Sequence, residues 1–253
     1  MSGLFRFVIM MMSCCGTSYA QWCDPVLFEQ ILGPYPEQES YFGSDIYVSG
    51  DMAIVGAQGH VVDGLRTGAV HVYRNDGNRW NFESLITPSD VENDSLFGVW
   101  ISVDDGSMLI GSYETGVTSA TGKVYCYRYI DGQWMLQQIL TPSDGIEGGG
   151  FSFVEHAGDR AVVGAPGRVG GSGSGAVYVF EYDGEQWVEV QKLTASDGTA
   201  GDLFGVTPNL LGDRLVVGAP DHLEEGWFKG SGAVYIFEFD GNEWQEAAKL
   251  SPT

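Results

Sequence analysis

Four histidines, His60, His71, His156 and His222, are the side chains best suited to proton transfer or to holding a transition metal. His60 and His222 occupy matching places, each three residues after the alanine of a Gly-Ala pair, and Thr115 and Arg168 stand at that place in between. A metal site built on the pair needs ring closure to bring them together and two more ligands at near tetrahedral geometry. The competing reading makes both of them solvent-facing loop residues. His71 alternates with Ala69 and Tyr73 on one strand face and reads as a packing residue. No serine sits in a Gly-x-Ser-x-Gly elbow, and no recurrent place gathers a Ser, a His and a carboxylate. The run Gly170 to Gly175 lacks the Lys-Ser/Thr ending and following helix of a phosphate cradle, so it reads as a hairpin loop.

Carboxylates recur in the connections between apolar segments: Glu37 and Glu39, then Asp90, Glu92 and Asp94, then Asp144 and Glu147, then Asp197 and Asp202. Calcium is the cofactor such loops invite, held weakly, with Asp90, Asp94, Asp144, Asp197 and Asp202 as candidate ligands. Local capping of backbone N–H groups is the commoner use of a Thr-x-Ser-Asp-Gly turn. Glycoside hydrolysis needs two carboxylates about 5–5.5 or 6.5–9.5 Å apart across a cleft, and a repeated loop singles out no pair. One connection stands out for length and for adjacent bulky aromatics amid charge. It runs from Asp221 to Gly230, and its candidate ligand-binding residues are Asp221, His222, Glu224, Glu225, Trp227 and Phe228. The other reading folds Trp227 and Phe228 back over an exposed end of the domain.

The elements that position these groups repeat. Phe-Gly occurs at Phe42-Gly43, Phe97-Gly98 and Phe204-Gly205, with Phe151-Ser152 as the remaining copy, at spacings of 55, 54 and 53. An apolar residue, glycine and a small residue fall at Val55-Gly56-Ala57, Ile110-Gly111-Ser112, Val163-Gly164-Ala165 and Val217-Gly218-Ala219. A Gly-x-Val strand starts at Gly68, Gly122, Gly175 and Gly232, and a tryptophan follows at Trp80, Trp134, Trp187 and Trp244. Each unit reads as four strands, closed by turns at Ser49-Gly50-Asp51 and at Asp76-Gly77 and their later copies. Four such strands cannot bury both faces alone, so the units must stack. Radial stacking gives a β-propeller and linear stacking a solenoid; the glycine of the second strand suits close approach of neighbouring sheets.

These anchors resemble FG-GAP repeats, those of the integrin α-chain head and, more closely, a bacterial variety that shares the Ala176 to Phe180 strand, the Trp187 to Leu193 strand and the Thr194 to Gly205 loop. The resemblance covers about residues 26–250. It implies an all-β propeller of four-stranded antiparallel blades, commonly seven, engaged in adhesion or protein binding at a cell surface. Two departures stand out. Ser152 replaces a glycine, which is expected to weaken packing at the third unit. The loops after the second strands lack the Asp-x-Asp/Asn-x-Asp-Gly string of integrin-like calcium sites.

Complete units span about 42–86, 97–140, 151–193 and 204–250, and Val26 to Leu32 matches one additional fourth strand. That is one outer strand too many for a four-bladed ring and too few units for seven. The expectation is an open or incomplete ring that self-associates or joins further propeller units. A compact four-bladed ring with an accessory edge strand is the alternative.

With 34 acidic against 12 basic residues, a formal charge of −22 and no basic stripe, the chain is expected to avoid nucleic acid and anionic membranes. The apolar run Leu4 to Cys15 followed by Ser18-Tyr19-Ala20 reads as a signal peptide over 1–20, with the domain over 21–253. A lipid-bearing Cys14 or Cys15 is the alternative. Cys23 and Cys126 then remain, and they read as two free thiols because Cys126 falls inside a strand. The resulting expectation is a secreted or periplasmic, non-catalytic module binding protein, a cell-surface ligand or glycan through an acidic loop face. A carbohydrate-binding or glycoside-hydrolysing propeller is the alternative.

Overall fold

The computed structural model describes residues 40–90, 94–113, 122–145, 149–167, 173–222 and 230–252. The expected signal peptide and the strand at 26–32 lie outside them. The first sheet contains β1 (Phe42–Ser49), β2 (Met52–Ala57), β5 (Ala69–Asn75) and β6 (Trp80–Ile86), and a small hairpin of β3 (Val61–Val62) and β4 (Leu65–Arg66) interrupts the β2–β5 connection. The second contains β7 (Trp100–Asp104), β8 (Ser107–Ser112), β9 (Lys123–Ile130) and β10 (Gln133–Leu140). The third contains β11 (Phe153–Ala157), β12 (Arg160–Ala165), β13 (Ala176–Tyr182) and β14 (Trp187–Leu193). The fourth contains β15 (Val206–Leu211), β16 (Arg214–Ala219), β17 (Ala233–Phe239) and β18 (Trp244–Leu250).

Each four-stranded sheet is an antiparallel meander in chain order, so each is one blade. The turns are those that the glycines announce; Gly158, for example, takes φ +58 between β11 and β12. Every outer strand carries a one-residue bulge at the same place, at Glu83, Gln137, Val190 and Ala247, which bends and twists each blade alike.

Period-two alternation gives every blade two apolar faces, and successive blades join them into shared cores. Ile54, Val70, Val72 and Ile86 of blade one pack with Phe97, Met108, Ile110 and Tyr125 of blade two. Leu109, Val124 and Leu140 of blade two pack with Phe151, Val163 and Tyr178 of blade three, and Val162, Val177 and Leu193 of blade three with Phe204, Leu215 and Tyr235 of blade four. The inner strands line up in turn, β1 against β7, β7 against β11 and β11 against β15. The arrangement is an open set of propeller-type blades, with no sheet closed into a barrel.

Backbone contact sets the spacing of the blades. The Phe97 N–H donates to the Thr67 carbonyl at 3.0 Å, and that of Phe204 to the Ser174 carbonyl at 2.9 Å. A methyl group on Gly56 would lie 2.2 Å from the Gly98 carbonyl oxygen, and one on Gly164 1.9 Å from that of Gly205. Only glycine permits so close an approach. The expectation that Ser152 weakens its joint is corrected. The Ser152 carbonyl lies 2.1 Å from the corresponding position on Gly111, its hydroxyl donates to Gly150 at 3.1 Å, and the joint is as close as the others. Ser152 supplies the carbonyl from a backbone without positive φ, whereas Gly98 and Gly205 take φ +85 and +108 and a methyl group there would lie 2.7 and 2.4 Å from the Ala69 and Ala176 carbonyl oxygens.

Candidate functional site

Three connecting-loop aspartates share one arrangement. Asp90 accepts from the Tyr125 hydroxyl at 2.5 Å and from Lys123. Asp144 accepts from Tyr178 at 2.9 Å and from Lys192, and Asp197 accepts from Tyr235 at 2.6 Å and from Lys249 at 2.8 Å. Each aspartate precedes its blade's Phe by seven residues, and each tyrosine is the aromatic of the Gly-x-Val-Tyr strand. The cation changes origin. Lys192 and Lys249 precede the last leucine of their outer strands, whereas blade two has Ile139 there and draws its cation from Lys123 on β9. The Lys249 and Tyr235 hydrogen bonds hold the Asp197 carboxyl below its ordinary range, while burial and the same carboxylate push the Tyr235 hydroxyl up. These carboxylates tie each connection to its blade.

Blade four adds a second layer. His222, only 3% exposed, places Nδ1 2.8 Å from the Asp202 carboxylate and Nε2 2.9 Å from Lys249 Nζ. An ammonium can only donate, so Nε2 is the acceptor and Nδ1–H donates to Asp202. Asp202 also accepts from the Thr199 backbone N–H and hydroxyl, each at 2.7 Å. Burial opposes its ionisation, and these donors together outweigh burial and hold the carboxyl below its ordinary range. An Asp–His pair orients an imidazole as a general base does. Here the distal nitrogen faces Lys249 instead of a nucleophile, so the cluster works as a brace.

The brace sits under the base of the 221–230 connection. Asp221 N–H donates to the Asp202 carbonyl at 3.2 Å, His222 N–H to Ala219 at 3.2 Å, and Gly232 N–H to the His222 carbonyl at 3.1 Å. The structure thus brings together Asp197, Asp202, Asp221 and His222 of the candidates. Asp94 lies elsewhere, with its N–H donating to the Arg66 carbonyl at 2.7 Å and its carboxylate 4.0 Å from the Arg66 guanidinium. Glu224, Glu225, Trp227 and Phe228 lie outside the described residues. Among the described residues, no group of three or more His, Cys, Asp or Glu is placed to hold a metal ion.

The first blade solves the same position differently. His71 replaces the tyrosine and packs edge-on against Phe42 at 5.2 Å and His60 at 5.6 Å; burial lowers it to about 4. The reading of His60 and His222 as solvent-facing is corrected, since each is 3% exposed. The loops fold their first residues back under the blade edge, His60 N–H donating to Ala57 as His222 N–H does to Ala219. Sequence reasoning also missed a pair that joins two blades: Ser102 Oγ lies 2.7 Å from His156 Nδ1 and accepts from the His156 N–H at 2.9 Å. Both residues are buried, and burial lowers His156 to about 4. Cys126 is a buried free thiol on β9, pushed up by burial. Cys23 lies outside the described residues.

A family model described as FG-GAP repeat matches residues 134–180 and 187–237. No curated protein sequence matches the chain. Among solved structures, a hypothetical selenium-binding protein from Sulfolobus tokodaii is similar with a TM-score of 0.52 at 12% identity, over 79% of this chain and 52% of that one. A europium-containing methanol dehydrogenase is similar with a TM-score of 0.48 at 12% identity, over 79% of this chain and 40% of that one. The chain therefore spans about half the length of the first and less of the second. Likeness at this identity speaks of fold, and a shared fold leaves function open. The Phe-Gly and Gly-Ala anchors, the four meander blades built on them and the family match agree: the chain carries FG-GAP repeats, folded as propeller-type blades.

Proposed function

We propose that the chain is a secreted or cell-surface binding and scaffold module without catalysis of its own, which recognises protein through the loop face of blade four. The observation that carries this reading is the Asp202–His222–Lys249 brace, which fixes both ends of the longest of the connections between a blade's second and third strands on a rigid sheet. A loop with an ordered base and charged and aromatic residues at its centre suits recognition. Among the described residues, the connecting-loop carboxylates Asp90, Asp144, Asp197 and Asp202 are engaged by tyrosine, lysine or histidine. The carbohydrate-processing alternative rests on Asp197 and Asp202, the two loop carboxylates that approach one group, His222, from either side.

The test compares wild type with a Trp227→Ala/Phe228→Ala double variant, on a cell-surface fraction before and after protease digestion and on a polysaccharide panel. The expected result is saturable binding that is lost on digestion and lost in the variant at unchanged melting temperature. Polysaccharide turnover, or binding that survives protease, selects the alternative. A fall of several degrees in melting temperature with binding intact assigns the two aromatics to packing and ends the recognition role of this loop.

A further inference from the structure

The three joints between blades share an apolar core and differ at the outer rim. At joint two, between blades two and three, the Gln138 carboxamide closes on one peptide group of the next outer strand. Its Nε2 donates to the Trp187 carbonyl at 2.9 Å, and its Oε1 accepts from the Trp187 N–H at 2.8 Å. Beside it the Glu189 carboxylate holds the chain that leaves blade two, accepting from the Ser143 N–H at 3.0 Å and the Ser143 hydroxyl at 2.7 Å. Joint three, between blades three and four, repeats both clasps. Gln191 makes the same pair of bonds to Trp244, each at 2.8 Å, and Glu246 accepts from the Ser196 N–H and hydroxyl at 2.9 and 2.8 Å.

Joint one, between blades one and two, carries neither clasp among the described residues. Val72 pairs with Ser84 as Cys126 does with Gln138 and Val179 with Gln191, so serine stands in the place of the clasping glutamine. Tyr127 pairs with Leu136 as Phe180 does with Glu189 and Phe237 with Glu246, so leucine stands in the place of the carboxylate. A serine hydroxyl ends two bonds short of a glutamine carboxamide and lacks its paired donor and acceptor, and a leucine offers no acceptor at all. Burial follows the clasps. Trp187 and Trp244 are buried beneath their glutamines, whereas Trp134 and Leu136 are half-buried. Elsewhere joint one is held as joint two is. At the inner edge Asp45 accepts from the Ile101 N–H at 2.7 Å, as Asp104 accepts from that of Gly158 at 2.6 Å. Arg74 lies 5.8 Å from the centre of the Tyr129 ring, as Arg128 lies 5.3 Å from that of Tyr182.

We infer that the stack is built to open at the outer rim of joint one, blade one swinging from blades two to four about the Asp45–Ile101 inner edge. The motion is a local opening that leaves the other two joints closed. Every hydrogen bond missing at that rim lowers the cost of parting it, and the missing ones fall at one place. The first surface that opening uncovers is the edge of β10 at Trp134 and Leu136, and behind it lie Ile54, Val70 and Val72 of blade one. The opening is independent of recognition by the loop face, since the rim of joint one and the 221–230 connection belong to different blades.

Thiol trapping tests it, because the protein carries its own reporter at joint two. Cys126, 2% exposed, fills the place there that Val72, 0% exposed, fills at joint one. The full chain and its Val72→Cys/Cys126→Val variant are treated with N-ethylmaleimide under native conditions. Mass mapping of the labelled peptides separates each site from Cys14, Cys15 and Cys23. Labelling at position 72 is expected to run about tenfold or more faster than labelling at position 126. Ser84→Gln, which copies joints two and three, should slow the rate at position 72 by about fivefold and leave that of Cys126 in the otherwise wild-type chain unchanged. Gln138→Ser needs no new cysteine, and it should speed labelling of Cys126 by a like factor. Equal rates at the two sites, as global unfolding alone would give, overturn the proposal. So does a rate at position 72 that Ser84→Gln leaves as it was or raises, and so does a Cys126 rate that Gln138→Ser does not change.

Discussion

Blades three and four carry nearly the same side chains and expose them very differently. Their second strands read Arg-Ala-Val-Val-Gly-Ala and Arg-Leu-Val-Val-Gly-Ala, and their third strands differ only in Val179 against Ile236 and Tyr182 against Phe239. Yet Val162 is fully buried and Val216 is 37% exposed. The residues and backbone are common to both; the neighbour differs. Burial of this face is therefore conferred by the following blade, and a substitution on it is harmless or severe according to whether a blade packs there.

The largest expected contrast comes from the second-strand glycines. Gly164→Ala forces a methyl group onto the Gly205 carbonyl, a backbone atom that cannot rotate away, and should cost about 3 kcal/mol or more. Gly218→Ala meets only the Val206 carbonyl at 3.1 Å and should cost under about 1 kcal/mol in the monomer. Urea unfolding of the two variants measures both, and equal losses would break the comparison.

A second contrast is in pH. His156 of blade three pairs with Ala161 where blade four has Leu210 opposite Leu215. Burial lowers His156, and likewise His71, from 6.5 to about 4. Between those values the unfolded chain takes up the protons and the folded chain does not. The histidine contribution is thus fullest above pH 6.5, falls as pH drops from 6.5 to 4 and then levels off, at about 3 kcal/mol for each histidine, while carboxyls held low by their donors, such as Asp197 and Asp202, add a further loss below pH 4. Asp45 and Glu155, which burial raises, act in the opposite sense. Denaturation series at pH 7, 5.5 and 4.5 should show the decline, and His156→Leu, copying blade four, should remove its share of the slope. An unchanged slope would place the proton uptake elsewhere.

The smallest contrast uses the leucines that close the outer strands. Leu193→Ala opens a cavity between two blades and should cost about 2–3 kcal/mol. Leu250→Ala trims an exposed side chain and should stay within about 0.5 kcal/mol while the protein is dilute. If the Leu250 effect grows with protein concentration, the face is covered by association and the comparison sharpens.

The repeat was legible in the sequence because the joints restrict it. Where backbone meets backbone only glycine fits, and where the edge enters a core an aromatic is needed, so Gly56, Gly111, Gly164, Phe97, Phe151 and Phe204 stand out at nearly even spacing. The excess outer strand at 26–32 pointed to an open end, although those residues lie outside the described ones. The site was legible in part. Asp197, Asp202 and His222 were singled out separately, but their convergence depends on Lys249, which is 27 residues from His222 in the chain and 52 from Asp197. The Ser102–His156 pair left no trace in the sequence, because it spans 54 residues and two blades and uses residue types that recur in neither. Burial of His60 and His222 was misread because polar residues in a glycine-rich connection look solvated until the chain is seen to fold beneath the blade edge.

The joint of glycine against carbonyl has one more consequence, for how such a gene can change length. The contact is made between main-chain atoms, so the Gly205 carbonyl oxygen comes 1.9 Å from the methyl position on Gly164 much as that of Ser152 comes 2.1 Å from the one on Gly111. A duplicated unit inserted at any boundary meets a backbone contact that already fits it, and only the apolar side chains of the shared core have to adapt. Copy number can then drift through unequal recombination while the individual units diverge on their loops, as the 221–230 connection has.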